Sequence, residues 1–352
     1  MADTHLTAEA PPQTDTAAAR VYRHALVLDA NALPACGSEF AHAGRFQALR
    51  ESGVTAFKST LGGANGTFEE AISEIAAAQS LVEQHPDAFI KVTHHADLAR
   101  AKREGKAAVI FSFEAATMLE GNPERIGLFR HLGVLVMQLA YNHATPFGCG
   151  CLDGETAGVT ATGREAITRM NALGVALYLS HANTQTTIDG IALSAKPPVF
   201  THTGCRALFA HPRNKRDAEL RALADKGGVA GVYMLPYLTP DDRQPQLADF
   251  MHHLLHALAV CGEDHVGIGT DTTFFAVDDA ALQVMREEAA DRRRRGVSAP
   301  GENRLPYIPD LNTPRKLERV TGALLQHGYS ERVADKVLGG NFNRVFEEIW
   351  IN

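Results

Sequence analysis

Val175-Ala176-Leu177-Tyr178-Leu179-Ser180-His181 and Pro198-Val199-Phe200-Thr201-His202 decide the fold. Each is a short apolar run closed by an imidazole, the pattern of a strand buried on both faces. Residues 185–195 between them read as a helix. Strand, helix and strand in that order form a βαβ unit with its two strands parallel. His181 and His202 then sit at the carboxyl ends of neighbouring strands, where α/β folds build their sites.

The same rhythm runs outward in both directions. Further strands are expected at residues 25–28, 54–58, 89–92, 107–113, 134–140, 229–234 and 266–269. Helical patterns fill the intervals at 68–84, 163–173, 217–226 and 247–260, and closing helices are expected at 315–327 and 330–338. Gly133, Gly174, Gly228 and Gly262 follow helices closely, where a left-handed cap is needed. A parallel sheet built from such repeats closes well as a barrel of eight strands. A doubly wound open sheet is disfavoured, because no strand leads into a phosphate-binding glycine fingerprint. Gly62-Gly63-Ala64-Asn65-Gly66 lacks a lysine–serine ending and reads as a turn. The expected fold is α/β, a single (β/α)8 TIM barrel over residues 21–352 behind a flexible tail at 1–20. Residues 272–312 break the rhythm with charge and with Pro300, Pro306 and Pro309, and are expected to form an excursion over the barrel mouth.

A third polar group sits in the same situation as the histidines. Glu114 closes the run Ala107-Ala108-Val109-Ile110-Phe111-Ser112-Phe113. Taken singly, each of the three reads more simply as a hydrogen-bonded structural residue. Their recurrence at equivalent places in the repeating units changes that balance. A carboxylate ending so apolar a run is also costly unless it is paired or metal-bound. Two neutral nitrogens and one carboxylate make a three-ligand metal site with an open position, the minimum for a hydrolytic metalloenzyme.

Composition narrows the partners. The chain is 45% hydrophobic and 21% charged, with a net charge of −7 and no basic stripe, which argues against nucleic acid. Arg292-Arg293-Arg294-Arg295 is flanked by Glu287, Glu288 and Asp291 and reads as a solvated face. No stretch is long and apolar enough to span a membrane, and the first 20 residues are too polar for a signal peptide. The five cysteines (Cys36, Cys149, Cys151, Cys205 and Cys261) form no framework, which fits a reducing cytoplasm. Cys149-Gly150-Cys151 does not have the usual zinc-knuckle spacing. The expected partner is a small molecule, with neither nucleic acid nor membrane involved; a homodimer is left open.

Leu179-Ser180-His181, Thr201-His202-Thr203, His211-Pro212-Arg213-Asn214 with Asp217, Gly267-Ile268-Gly269-Thr270-Asp271, and Leu338-Gly339-Gly340-Asn341-Phe342 occur in an informative order. With these motifs the chain resembles the membrane (renal) dipeptidase family of metallopeptidases, within the amidohydrolase superfamily. The resemblance implies a barrel that hydrolyses dipeptides with two zinc ions. It makes Glu114 the carboxylate bridging the metals and His181 and His202 ligands of the second. It also makes Arg213 the group gripping the substrate carboxylate and Asp271 the acid/base residue.

Three departures stand out. The family's first strand ends in a His-x-Asp pair within a pattern like Asp-Gly-His-Asn-Asp-Leu-Pro, whereas this chain reads Leu28-Asp29-Ala30-Asn31-Ala32-Leu33-Pro34. Aligned on Leu33-Pro34, the pair becomes Ala30 and Ala32; aligned on Asp29, it becomes Asn31 and Leu33. Either register loses the first metal site, so one zinc ion is expected. Asn31, His143, Cys36 and Cys149 are the residues able to rescue a second site. Tyr141, before Asn142, replaces a substrate-contacting histidine, and Thr272-Thr273-Phe274 replaces Phe-Asp-Gly after Asp271. Tyr141 and Asn142 are expected to touch substrate, with Tyr141 donating to a developing oxyanion.

The leading expectation is a one-metal hydrolase cleaving a dipeptide or small amino-acid amide, with Asp271 moving the proton. Two others stand beside it. One is altered chemistry on a small carboxylated metabolite, such as ring opening, deamination or decarboxylation. The other is a non-catalytic barrel that binds without reacting.

Overall fold

The computed structural model describes residues 16–33, 44–240 and 243–350. Its strands are β1 (Leu28–Asp29), β2 (Ala32–Leu33), β3 (Ala56–Leu61), β4 (Phe89–Lys91), β5 (Ala107–Phe113), β6 (Val134–Met137), β7 (Ala176–Leu177), β8 (Val199–Cys205), β9 (Asn214–Lys215), β10 (Val229–Val232), β11 (Val266–Ile268) and β12 (Thr272–Thr273). The helices are α1 (Ala17–His24), α2 (Arg45–Ser52), α3 (Phe68–Gln84), α4 (Ala96–Glu104), α5 (Arg125–His131), α6 (Ala161–Leu173), α7 (Thr184–Leu193), α8 (Asp217–Asp225), α9 (Leu247–Cys261), α10 (Asp279–Arg294), α11 (Lys316–Gln326), α12 (Glu331–Asp335) and α13 (Asn341–Ile349).

The ring closes by backbone hydrogen bonds. One parallel sheet runs β1-β3-β5-β6-β7, and a second contains β8, β10 and β11 in the order β11-β10-β8. A parallel bridge between Tyr178 and Val199 joins β7 to β8. The Ala30 amide donates to the Ile268 carbonyl at 3.0 Å, bringing β11 back to β1. Eight parallel strands therefore complete a (β/α)8 barrel. Next to that seam the backbones nearly touch across the barrel: a Cβ on Gly269 would lie 1.9 Å from the carbonyl oxygen of Thr201 on β8, so no larger residue fits there.

Strand residues alternate between the barrel interior and the helical shell. Leu28, Ala56, Ala108, Ile110, Val136, Ala176, Val199 and Val229 share one buried cluster with Phe342, Val345, Phe346, Ile349 and Trp350 around α13. Fully burying those five large side chains stabilises by about 2 kcal/mol each before ordering entropy is charged. The α13 helix thus packs its apolar side onto the barrel's interior, and the polar site residues lie beyond the other strand ends.

Most expected elements are present, with differences at their edges. Helix α1 starts at Ala17, capped by the Thr16 hydroxyl accepting from the Ala19 amide at 3.1 Å, so residues 17–20 are helical and not tail. The left-handed cap after α8 is Gly227 (φ 87°), not Gly228. Gly228 is required for a different reason: a Cβ there would meet the Pro198 carbonyl oxygen at 2.2 Å. The excursion at 272–312 begins with β12, paired to β2, and continues into α10. It is fastened to the barrel loops where Asn142 Nδ2 donates to Val297 O (2.8 Å) and where His211 Nε2 bonds Pro300 O (3.0 Å). Among the described residues, no helix is long and apolar enough to cross a membrane.

Candidate metal centre and substrate cavity

Strand β5 delivers Glu114, the loop after β7 delivers His181, and β8 carries His202 within it. One ligand atom from each lies within 4.8 Å of the others, the group of metal-ligating type found among the described residues. The two rings are fully buried and meet edge to face, with their Nε2 atoms 3.0 Å apart. Each ring is held from behind. His181 Nδ1 donates to Asn142 Oδ1 (2.8 Å), whose own amide nitrogen is committed to Val297 O. His202 Nδ1 bonds the Thr201 hydroxyl at 2.9 Å. The Asn142 bond turns the His181 Nε2 lone pair inward, and His202 Nε2 faces the same point. Burial, reinforced by the positive charge of Arg213, holds both rings well below the usual histidine range, so they are neutral.

At that distance the two Nε2 atoms share a hydrogen bond when His202 carries its proton there, and a cation can take that proton's place. A tetrahedral zinc with Zn–N bonds of about 2.0–2.1 Å sets two nitrogens roughly 3.3 Å apart, so a small adjustment seats one. Glu114 Oε1 and Asp271 Oδ2 each lie 3.9 Å from His202 Nε2. The donor set fits one divalent ion of the zinc type.

Asp271 follows β11 with a left-handed backbone (φ 55°), rare for a residue with a side chain and found where surrounding structure imposes it. Its amide donates to the Asn31 carbonyl at 2.6 Å. Burial first, then the neighbouring Glu114, push its carboxyl up to about 7. The adjoining Thr270 is pinned to the buried Asp29 by its amide (2.8 Å) and its hydroxyl (2.6 Å).

These groups open onto a cavity of about 610 Å³, lined by Glu114, Tyr141, His181, Arg213 and Asp271 on the barrel side and by α10 on the other. Tyr141 stacks on the His181 ring (4.1 Å between centroids, 28°), and burial pushes its phenol up, keeping the proton on. Arg213 is only 2% exposed. Its Nη1 donates to the Ser180 carbonyl at 2.7 Å, while Nη2 has no hydrogen-bond partner and the guanidinium makes no ion pair among the described residues. Leaving such a donor unsatisfied costs about 1–3 kcal/mol or more.

The structure thus brings Glu114, His181, His202, Arg213, Tyr141 and Asp271 to one place. Asn142 differs. Expected on the substrate wall, it sits behind His181, 1% exposed, with its amide spent on His181, Val297 and the Cys151 thiol (3.3 Å). The arginine run also divides: Arg292 lines the cavity and pairs with Glu302 at 3.0 Å, the exposed Arg293 reaches the cavity wall, and Arg294 and Arg295 face solvent. His143 bonds Gly296 O and faces Asp153, and among the described residues Cys149 belongs to no metal-ligating group; Cys36 lies outside the described residues. Two residues were missed as site residues: Lys58, buried in the middle of β3, and Asn31 as a bridge between carboxylates. A lysine inside an apolar run was the available signal for the first.

The family described as "Membrane dipeptidase (Peptidase family M19)" matches residues 45–281. The chain belongs to the membrane dipeptidase family. Among curated relatives, "Dipeptidase ataJ" of Aspergillus terreus is 28% identical over 279 residues, 72% of this chain and 67% of that protein. "Uncharacterized protein in pqqA 5'region" of Klebsiella pneumoniae is 29% identical over 266 residues, 72% of this chain and 87% of that one. An amidohydrolase from Pseudomonas aeruginosa superposes with a TM-score of 0.82 at 29% identity, covering 95% of this chain and 99% of that chain. A metallo peptidase from Rhodobacter sphaeroides, liganded with a phosphinate mimic of the dipeptide L-Ala-D-Ala, shares the fold at a TM-score of 0.73 and 19% identity, covering 92% and 99%. This membrane dipeptidase relative is a metallo-dipeptidase-like hydrolase, and metal-dependent as its family is.

Proposed function

We propose that the chain hydrolyses the amide bond of a dipeptide or small amino-acid amide, using one zinc ion held by Glu114, His181 and His202. The observation that carries this reading is Arg213, a buried guanidinium without an ion pair among the described residues, on the same cavity as the metal-ligating triad. A zinc ion at the triad supplies Lewis acidity and lowers the pKa of water. Asp271 accepts the proton of the attacking water and returns it to the leaving amine. The Tyr141 hydroxyl donates to the carbonyl oxygen as negative charge develops there. Arg213 offers two parallel N–H groups to the substrate's carboxylate, and α10 roofs the cavity against bulk water.

The cavity wall carries Arg45, Arg213, Arg286, Arg292, Arg293 and Arg304 against Glu114, Asp271, Glu288 and Glu302. On a chain whose net charge is −7, this local excess of positive charge draws anionic substrates.

Two experiments test the reading. Elemental analysis of protein expressed with ample zinc is expected to return about one zinc per chain; two tightly held ions sink the one-metal reading, and none favours a barrel that only binds. A product screen over dipeptides, N-acyl amino acids and cyclic amides then separates amide hydrolysis from ring opening or deamination. Arg213→Lys is expected to raise KM by about 10–100-fold with kcat little changed, because an ammonium keeps the charge but loses the fork. An unchanged KM at unaltered thermal stability rules out the carboxylate-gripping role.

A further inference from the structure

The geometry points to Asn31 as the positioning residue that stands in for the family's first metal ion, its side-chain amide holding the Glu114 and Asp271 carboxylates together beside a single zinc. The inference rests on the one-zinc reading above and adds a residue to it.

The pleat decides the register that the sequence left open. Ala30 and Ala32 are buried in the apolar clusters, Asn31 reaches the site carboxylates, and Leu33 lines the cavity. Positions 31 and 33 therefore take the places of the family's histidine and aspartate. A leucine offers a metal no donor, and a neutral amide is a weak one. The second ion does not fit.

What replaces it is a network. Asn31 Nδ2 donates to Asp271 Oδ1 at 2.7 Å and to Glu114 Oε1 at 3.2 Å, so one amide spends both hydrogens on two carboxylates that would otherwise repel. The backbone is held equally closely: the Asn31 amide donates to Asp29 Oδ1 (3.1 Å), and its carbonyl accepts from the Asp271 amide. Lys58 supplies positive charge within the barrel, acting on Glu114, Asp271 and Asp29. Its Nζ is seated on the Ser112 and Thr60 hydroxyls at 3.0 and 3.1 Å, over the Tyr178 ring. Asn31 Oδ1 is left buried and without a hydrogen-bond partner. Exchanging the amide's oxygen and nitrogen would aim Oδ1 at both carboxylates, an arrangement that needs a second cation or a proton held on Asp271. A second bound ion therefore marks the exchanged orientation.

The test compares zinc content, melting temperature and steady-state kinetics of the wild type, Asn31→Ala and the double variant Asn31→His/Leu33→Asp. The wild type is expected to hold one zinc and the double variant two. Asn31→Ala is expected to stay folded with one zinc and a lowered melting temperature, since two buried carboxylates lose their shared donor, with kcat lower by about 10–100-fold and KM moved less than about threefold, the signature of a misaligned group. A wild type carrying two ions overturns the inference while leaving the hydrolase reading standing. So does an Asn31→Ala variant with full zinc and kcat within about twofold of wild type, or a folded double variant that stays at one zinc. A wild type without zinc overturns the metallohydrolase reading itself.

Discussion

Asp271→Asn is expected to lower kcat by about 10²–10⁴-fold with the zinc content unchanged. The substitution isolates basicity. Asparagine tolerates the left-handed backbone that residue 271 adopts better than other side chains do, so the loop keeps its path. Its amide oxygen can still accept the hydrogen that Asn31 now gives to Asp271 Oδ1. What is removed is the carboxylate's charge and with it the capacity to take a proton from water. The competing role, a carboxylate that orients a metal-binding histidine, predicts lost zinc affinity and a rate restored by added zinc. The geometry speaks against that role. The rear nitrogens of both rings are already engaged, by Asn142 and by Thr201, and Asp271 approaches His202 at Nε2, the nitrogen that faces His181 and Glu114. Turnover near the wild-type value at saturating zinc defeats the proton-transfer assignment.

The parts of this site that local pattern could reach were the three residues of metal-ligating type that the barrel gathers. Glu114, His181 and His202 each close or interrupt an apolar run of a repeating unit, so periodicity alone puts them on one rim. The residues that hold those ligands were not legible in the same way. Asn142 looked like a neighbour of the substrate-facing Tyr141, but its amide reaches a carbonyl 155 residues further along, on an excursion whose course no local pattern gives. Asn31 lies in a stretch of small and apolar residues that supports two registers equally. Only the pleat of the closed barrel says which residues turn inward. Local pattern ends a strand at Lys58, whereas β3 runs on to Leu61, which places the ammonium in the middle of β3, fully buried. Strand ends and loop-to-loop bonds depend on long-range closure, and a single sequence carries little of that.

Removing a ligand should have the largest effect of all. His202→Gln is expected to reduce zinc content to a small fraction per chain and to lower turnover by roughly 10³-fold or more, since the Lewis acid is lost together with its activated water. The change is mild for the fold. Residue 202 lies within β8, a strand paired on both sides whose backbone bonds do not depend on the side chain. Glutamine is close in volume and keeps a polar group where the imidazole was, so no large apolar cavity opens. The ligand set is less forgiving. With only Glu114 and His181 remaining, two donors must hold an ion that structural and catalytic zinc sites bind with three or four protein ligands. Nor can Asp271 take the vacated position without giving up its bonds to Asn31. Chelation of the wild type followed by zinc addition should restore activity; the same treatment of His202→Gln should not. If the variant keeps wild-type zinc and turnover, the metal binds elsewhere and the site described here is not the catalytic one.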